Sequence, residues 1–170
     1  SAPDQLSDAS VVPFACTITE NRMSLAQLFV QANGTTLASD SWSGAEAQQV
    51  IAVAMWASEP VPFDPMEVAL HETYQQTTPG DLRQVFRMVH EYPLGGKPPM
   101  MTHVFANDAG ERIIACKGAP ERILRQSLLS EEQKTVALAQ VETLAGQGLR
   151  VLGVAEAKLS GDAFPKDQEE

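Results

Sequence analysis

Apolar and polar positions along the chain change their period several times, and each change marks an element. Residues 23–30 are a mostly apolar run of strand length, and Asn33-Gly34 supplies a hairpin turn before residues 35–39. From Ser43 the spacing lengthens to that of a helix. Ser43-Gly44-Ala45-Glu46 has the form of a capping box, and Val50, Ile51, Ala54 and Met55 then share one face. Pro60 and Pro62 end that segment. Asp64-Pro65-Met66-Glu67 starts a second helix, with Asp64 as cap, Pro65 at the first position and Met66, Ala69, Leu70 and Thr73 as the buried stripe.

Past Pro79-Gly80, residues 84–92 predict a strand stopped by Pro93 and Gly95-Gly96. Residues 101–106 and 111–116 predict a second hairpin around Asn107-Asp108-Ala109-Gly110. A helix is expected over 120–128. A longer one should run from the Ser130 cap, with Gln133 as its reciprocal partner, to Gly146-Gln147-Gly148. Residues 149–158 predict a last strand, with residues 1–16 and 160–170 as loosely held ends. Hairpins mixed with helical pairs indicate an α+β domain on a largely antiparallel twisted sheet.

At 170 residues and 44% hydrophobic content, the chain can build one core without disulfide or metal staples. Cys16 and Cys116 match no zinc spacing and fit a reducing setting. No apolar run reaches the roughly 18–20 residues that span a bilayer, and the N-terminal residues lack a signal-peptide pattern. A formal charge of −10 opposes broad binding to nucleic acid. An anionic ligand must be held by a local cluster of cations.

Lys117-Gly118-Ala119-Pro120-Glu121 is the most informative stretch for such a cluster. A β-like run feeds the lysine, Gly118 relieves the backbone of a Cβ, and Pro120 with Glu121 opens a helix. The arrangement suits a phosphate-bearing ligand, although an ordinary strand-to-helix turn has the same form. No glycine-rich phosphate loop is present: Gly95-Gly96-Lys97 lacks Walker spacing, and Gly146-Gln147-Gly148 precedes a strand. A nucleotide would therefore need a shallow pocket made of an aromatic face, one or two cations and a polar group. Tyr92 could stack on a base or be a half-buried strand residue. Lys97 could line a pocket or serve solubility. Glu67 could meet an adenine amine or simply support the helix start, and Arg150 could fork onto a phosphate or pair with an acidic residue. His71, His90 and His103 are scattered and suggest neither a metal site nor a catalytic dyad.

Taken in order, these segments resemble the nucleotide-binding domain of P-type ATPases, the cation pumps. Lys117-Gly118-Ala119-Pro120-Glu121 resembles its lysine-glycine-alanine-proline motif, and Asp64-Pro65-Met66-Glu67-Val68-Ala69-Leu70 its acidic helix start. Glu91-Tyr92-Pro93-Leu94, Lys97 and Met101-Thr102 resemble the adenine-facing strand and loop. Gly148-Leu149-Arg150-Val151-Leu152 resembles the late strand carrying a phosphate-side arginine, and Thr17-Ile18-Thr19-Glu20-Asn21-Arg22-Met23 the hinge. The ordered set covers residues 17–155.

The resemblance implies a lead-in and hinge over 1–22, a nucleotide-binding domain over 23–159 and a polar tail over 160–170. It implies that Tyr92 stacks on adenine, that Glu67 meets the base, and that Lys97 and Lys117 line the pocket, with Lys117 deep. Gly118 belongs to the same motif, Arg150 contacts phosphate and Leu152 packs near adenine. The ligand would be ATP, as Mg-ATP in a parent pump. The partners would be that pump's phosphorylation and membrane domains, with this part a soluble, monomeric cytoplasmic domain of a cell-membrane protein. The family's phosphate-accepting aspartate precedes the hinge, where this chain reads Pro13-Phe14-Ala15-Cys16-Thr17. No residue here is then expected to be catalytic alone. Two other functions fit the same residues: a non-catalytic nucleotide sensor, and a protein-interaction domain that has lost its ligand.

Overall fold

The computed structural model describes residues 14–19, 22–30, 35–38, 42–159 and 161–168, with side chains for 23–29, 42–159 and 161–168. Among these residues lie seven strands and four helices. The strands are β1 (Phe14–Thr19), β2 (Arg22–Val30), β3 (Thr35–Ala38), β4 (Arg87–Gly95), β5 (Met100–Ala106), β6 (Arg112–Gly118) and β7 (Arg150–Ala157). The helices are α1 (Ala45–Trp56), α2 (Pro65–Thr77), α3 (Pro120–Gln126) and α4 (Glu131–Gly146). The strands form one sheet in the order β3-β2-β1-β7-β6-β5-β4, and every pairing is antiparallel. The α+β class expected from the sequence is the class observed.

The last strand ties the sheet's two halves together. Residues 150–152 of β7 pair with β1, and residues 153–157 pair with β6. Because successive strand residues point to opposite faces, Val154 enters the core under α1 and α2, while its neighbour Ala155 enters the core under α3 and α4. Phe105 and Ala115 join the first core, and Cys116 and Met100 the second. A helical pair thus covers each face.

Helix starts follow local chemistry, with one exception. Asp64 caps α2 by accepting from the Met66 amide at 2.9 Å. Ser130 and Gln133 form a reciprocal capping box on α4. No such box forms on α1: its cap is Gly44, without a side-chain bond, and Gln48 donates to the Ser43 carbonyl instead. With no serine directly at the cap, the Ser43–Glu46 spacing falls one residue out of phase.

Other boundaries move for equally local reasons. The strand expected at 84–92 runs from Arg87 to Gly95, passing through Pro93. β4 is the sheet's edge, so the missing proline N–H costs no ladder bond. The buried stripe of α2 is Met66, Ala69, Leu70 and Tyr74, with Thr73 turned to bond the Ala69 carbonyl. Asn33-Gly34 lies outside the described residues, though the two strands it joins do pair.

The ends are not loose where they are described. Residues 14–19, expected in part as lead-in, form β1 between β2 and β7. Residues 161–168 pack across β4, β5 and β6. Arg112 donates to the Gly161 carbonyl at 2.6 Å, Phe164 stacks on His90 at 4.7 Å, and Gln168 donates to the Met100 carbonyl at 2.9 Å.

Candidate functional site

The β6-to-α3 junction and the start of α2 meet over the first face of the sheet. Lys117, near the end of β6, reaches Glu67 at the third position of α2 and forms an ion pair with it. Both side chains are almost fully buried, and Ser58 Oγ accepts a longer contact from Lys117 Nζ at 3.4 Å. Glu67 also accepts from the Glu59 amide at 3.3 Å. Two opposite charges removed from water together leave no uncompensated charge inside the fold.

This pair is the floor of a cleft of about 450 Å³, within the size range of small-molecule sites. Leu152 and Arg150, on β7, line one side, and Met101 and Leu94, on β5 and β4, line the other. Phe63, in the loop between α1 and α2, also lines it. Phe63 is 85% exposed and Leu94 63%, so two large apolar groups of the lining stand largely in solvent. Exposed apolar surface beside convergent polar groups is the usual composition of a ligand site.

Gly118 lets the neighbouring backbone approach closely for a steric reason. A Cβ there would lie 2.8 Å from Met100 Cα and closer still to the Pro99 carbonyl oxygen. Its role is to admit the adjacent backbone rather than to turn the chain. The rim turn beyond β4 is anchored from beneath. Gly96 adopts φ +85° over the Arg122 guanidinium, which donates to the Pro98 carbonyl at 2.9 Å. Lys97 lies exposed in this turn, next to the rim but outside the cleft's lining.

Glu67, Lys117, Gly118, Arg150 and Leu152 are therefore brought together, and Tyr92 is not. Met101 pairs with Lys117 in register, whereas Tyr92 pairs with Thr102 and, beyond it, Cys116. That row is one residue along, so its side chains point to the other face. There the Tyr92 hydroxyl donates to the Pro165 carbonyl at 2.6 Å, and the ring packs edge-on against His90. The aromatic face at the cleft belongs to Phe63. Its sequence position, wedged between Pro62 and the Asp64 cap, was the available clue: an apolar residue before a helix cap ordinarily packs back onto the helix, and this one does not.

Beside the cleft, His71 on α2 sits between the Glu59 carbonyl (3.0 Å) and the Arg83 guanidinium (3.1 Å). A guanidinium only donates, so Nδ1 accepts from it and Nε2–H donates to the carbonyl. Burial, reinforced by the Arg83 charge, holds this imidazole below its ordinary range.

Residues 61–170 match the family model described as "P-type ATPase, cytoplasmic domain N". The chain is 36% identical over 100 residues to the sodium/potassium exporting P-type ATPase of Schizosaccharomyces pombe, covering 54% of this chain and 10% of that protein. It is 31% identical over 115 residues to calcium-transporting ATPase 1 of Saccharomyces cerevisiae, covering 60% and 12%. With the calcium-transporting ATPase of Bacillus subtilis it shares 30% identity over 90 residues, covering 47% and 10%. The matched region thus spans about a tenth of each relative's length. Among the described residues no helix is long and apolar enough to cross a membrane. The family match extends over well more than half the chain and includes α2, β6 and β7, the elements that build the cleft; the chain belongs to the P-type ATPase cytoplasmic N domains.

Proposed function

We propose that the cleft over Glu67 and Lys117 binds ATP, and that this chain serves as the nucleotide-holding part of a cation-transporting pump. The single observation behind this reading is the buried Glu67–Lys117 pair, joined across fifty residues of chain, in one cleft with the exposed apolar groups Phe63 and Leu94. A purine would lie between those apolar groups and Leu152. Its amino edge would face the Glu67 carboxylate, and its ring nitrogens the Lys117 ammonium. Arg150, exposed at the cleft's edge, would receive the phosphates, and Lys97 in the rim turn would add a second positive group nearby.

In such an arrangement the chain performs no bond-breaking. It grips the adenosine end and leaves the triphosphate, as its magnesium complex, pointing outward. An aspartate on a neighbouring domain of the pump would then receive the γ-phosphate. Phosphoryl transfer depends largely on positioning and charge stabilisation, so delivery is a substantial share of the work. The parent would be an integral protein of the cell membrane with this domain on its cytoplasmic side.

Calorimetric titration of the chain with ATP tests the reading. Binding should weaken by about 1–3 kcal/mol in Phe63→Ala, the cost expected for losing a stacking face. In Arg150→Ala the loss should be larger for ATP than for adenosine. Equal binding by wild type and both variants would overturn the assignment.

A further inference from the structure

We propose that Glu59, Glu91 and His103 form a binding site for one divalent transition-metal ion of the Zn²⁺ type. The three residues come from the loop after α1, the edge strand β4 and its neighbour β5. Glu91 and His103 are direct cross-strand partners, and Glu59 descends onto them from the helical layer. One ligand atom from each lies within 4.8 Å of the other two.

The histidine carries the inference. His103 is fully buried, and its Nδ1 lies 3.3 Å from the Trp56 carbonyl oxygen. A carbonyl can only accept, so Nδ1 bears a proton, and in the neutral ring Nε2 presents a lone pair. That nitrogen has no hydrogen-bond partner among the described residues. It points between two carboxylates, 3.7 Å from Glu91 Oε1 and 3.9 Å from Glu59 Oε1. A lone pair aimed at two anionic groups is unfavourable, and a metal ion between them or a charge on the ring relieves it. A second proton on Nε2 would not close the gap, because both distances exceed the roughly 2.7–3.2 Å of an N–H···O bond.

A metal ion fits the gap. Zn²⁺ holds nitrogen and oxygen ligands at about 2.0–2.2 Å, which sets neighbouring donors about 3.0–3.6 Å apart. The carboxylates need to close by a few tenths of an ångström toward the nitrogen and by up to about 1–2 Å toward each other. Both are partly exposed, with side-chain accessibilities of 35% for Glu59 and 40% for Glu91, so they can shift and the ion can enter from solvent. The Trp56 carbonyl would fix the imidazole's tautomer and direction, as backbone acceptors do for metal-bound histidines. One imidazole with two carboxylates suits Zn²⁺ and its transition-metal neighbours. Mg²⁺ and Ca²⁺ take oxygen ligands and make no use of the imidazole.

The site adjoins the cleft, and Glu59 lines both. Glu59 donates its backbone N–H to Glu67, while its carboxylate lies 3.9 Å from His103 Nε2. The inference stands whether or not the cleft binds ATP.

The test is calorimetric titration of the chelator-stripped chain with Zn²⁺ alone, together with ¹⁵N imidazole spectra. Wild type should bind one ion with displacement of the His103 Nε2 resonance. Glu91→Gln, a charge-removing change at a partly exposed edge-strand position, should weaken binding by about tenfold or more while circular dichroism stays unchanged. Glu59→Gln should do the same and serves as the second variant should the first perturb the edge. Unaltered Zn²⁺ affinity in both variants would overturn the proposal. So would an absence of binding at micromolar Zn²⁺, or displacement of the His71 or His90 resonances alone.

Discussion

Tyr92 and Lys117 lie on opposite faces of the same antiparallel sheet. Lys117 shares a row with Met101 and faces the cleft under α2, and Tyr92 shares the next row with Thr102 and faces the segment 161–168. The ring that resembles an adenine-stacking residue in sequence is a structural residue in space. The large exposed apolar side chains in the cleft's lining are Phe63 and Leu94.

Tyr92→Phe should therefore leave ATP affinity unchanged. It removes the hydroxyl that holds Pro165 and should cost about 1 kcal/mol of stability. Limited proteolysis should show faster cleavage within 161–168, while calorimetry with ATP gives the wild-type constant.

The buried ion pair predicts a non-additive pattern. Lys117→Met strands the Glu67 carboxylate, and Glu67→Gln strands the Lys117 ammonium, each with an expected loss of about 3–5 kcal/mol. The double variant should be less destabilised than the sum of the two. Urea unfolding of all four proteins gives the coupling directly, and additive losses would contradict the pairing.

Gly118→Ala should destabilise the domain by at least about 1–3 kcal/mol, because the new methyl meets backbone rather than a flexible side chain. The strain falls on the Pro99–Met100 step at the cleft's rim, so the midpoint of unfolding and the ATP affinity should drop together.

Cys116 is wholly buried, and loss of solvation pushes its thiol up to about 12 from the ordinary 9.0. In the folded chain it should resist iodoacetamide at mildly alkaline pH and react after denaturation, as peptide mass mapping will show. The sign of the linkage follows. The unfolded thiol ionises first, so this contribution to stability is complete below 9.0 and is lost as pH rises toward about 12.

Local signals carried much of this structure. Asp64 and Ser130 announce α2 and α4 because capping needs only residues within one turn, and the hairpin at Asn107–Gly110 is equally local. Lys117, Glu67, Arg150 and Leu152, far apart in sequence, line one cleft. The facing of Tyr92 was not legible, since it depends on strand register and β4 carries a register shift between Tyr92 and Gly95. Phe63 escaped because an exposed apolar side chain breaks no periodicity, and Leu94 entered only as part of the segment that resembles the adenine-facing strand. The polar composition of 160–170 suggested a loose end, yet Phe164 and Pro165 cover the sheet's second face through contacts made far away in sequence. His103 looked solitary for the same reason: its carboxylate neighbours are brought to it by a cross-strand pair and by a loop from another layer.

The most direct measurement is an amide-resolved NMR titration of the chain with ATP. Perturbations should gather at Phe63, Glu67, Leu94, Lys117, Arg150 and Leu152, leaving Tyr92, Phe164 and Pro165's neighbours unmoved. Shifts centred on Tyr92 and the 161–168 segment, or none at millimolar ATP, would contradict a nucleotide cleft on the Lys117 face.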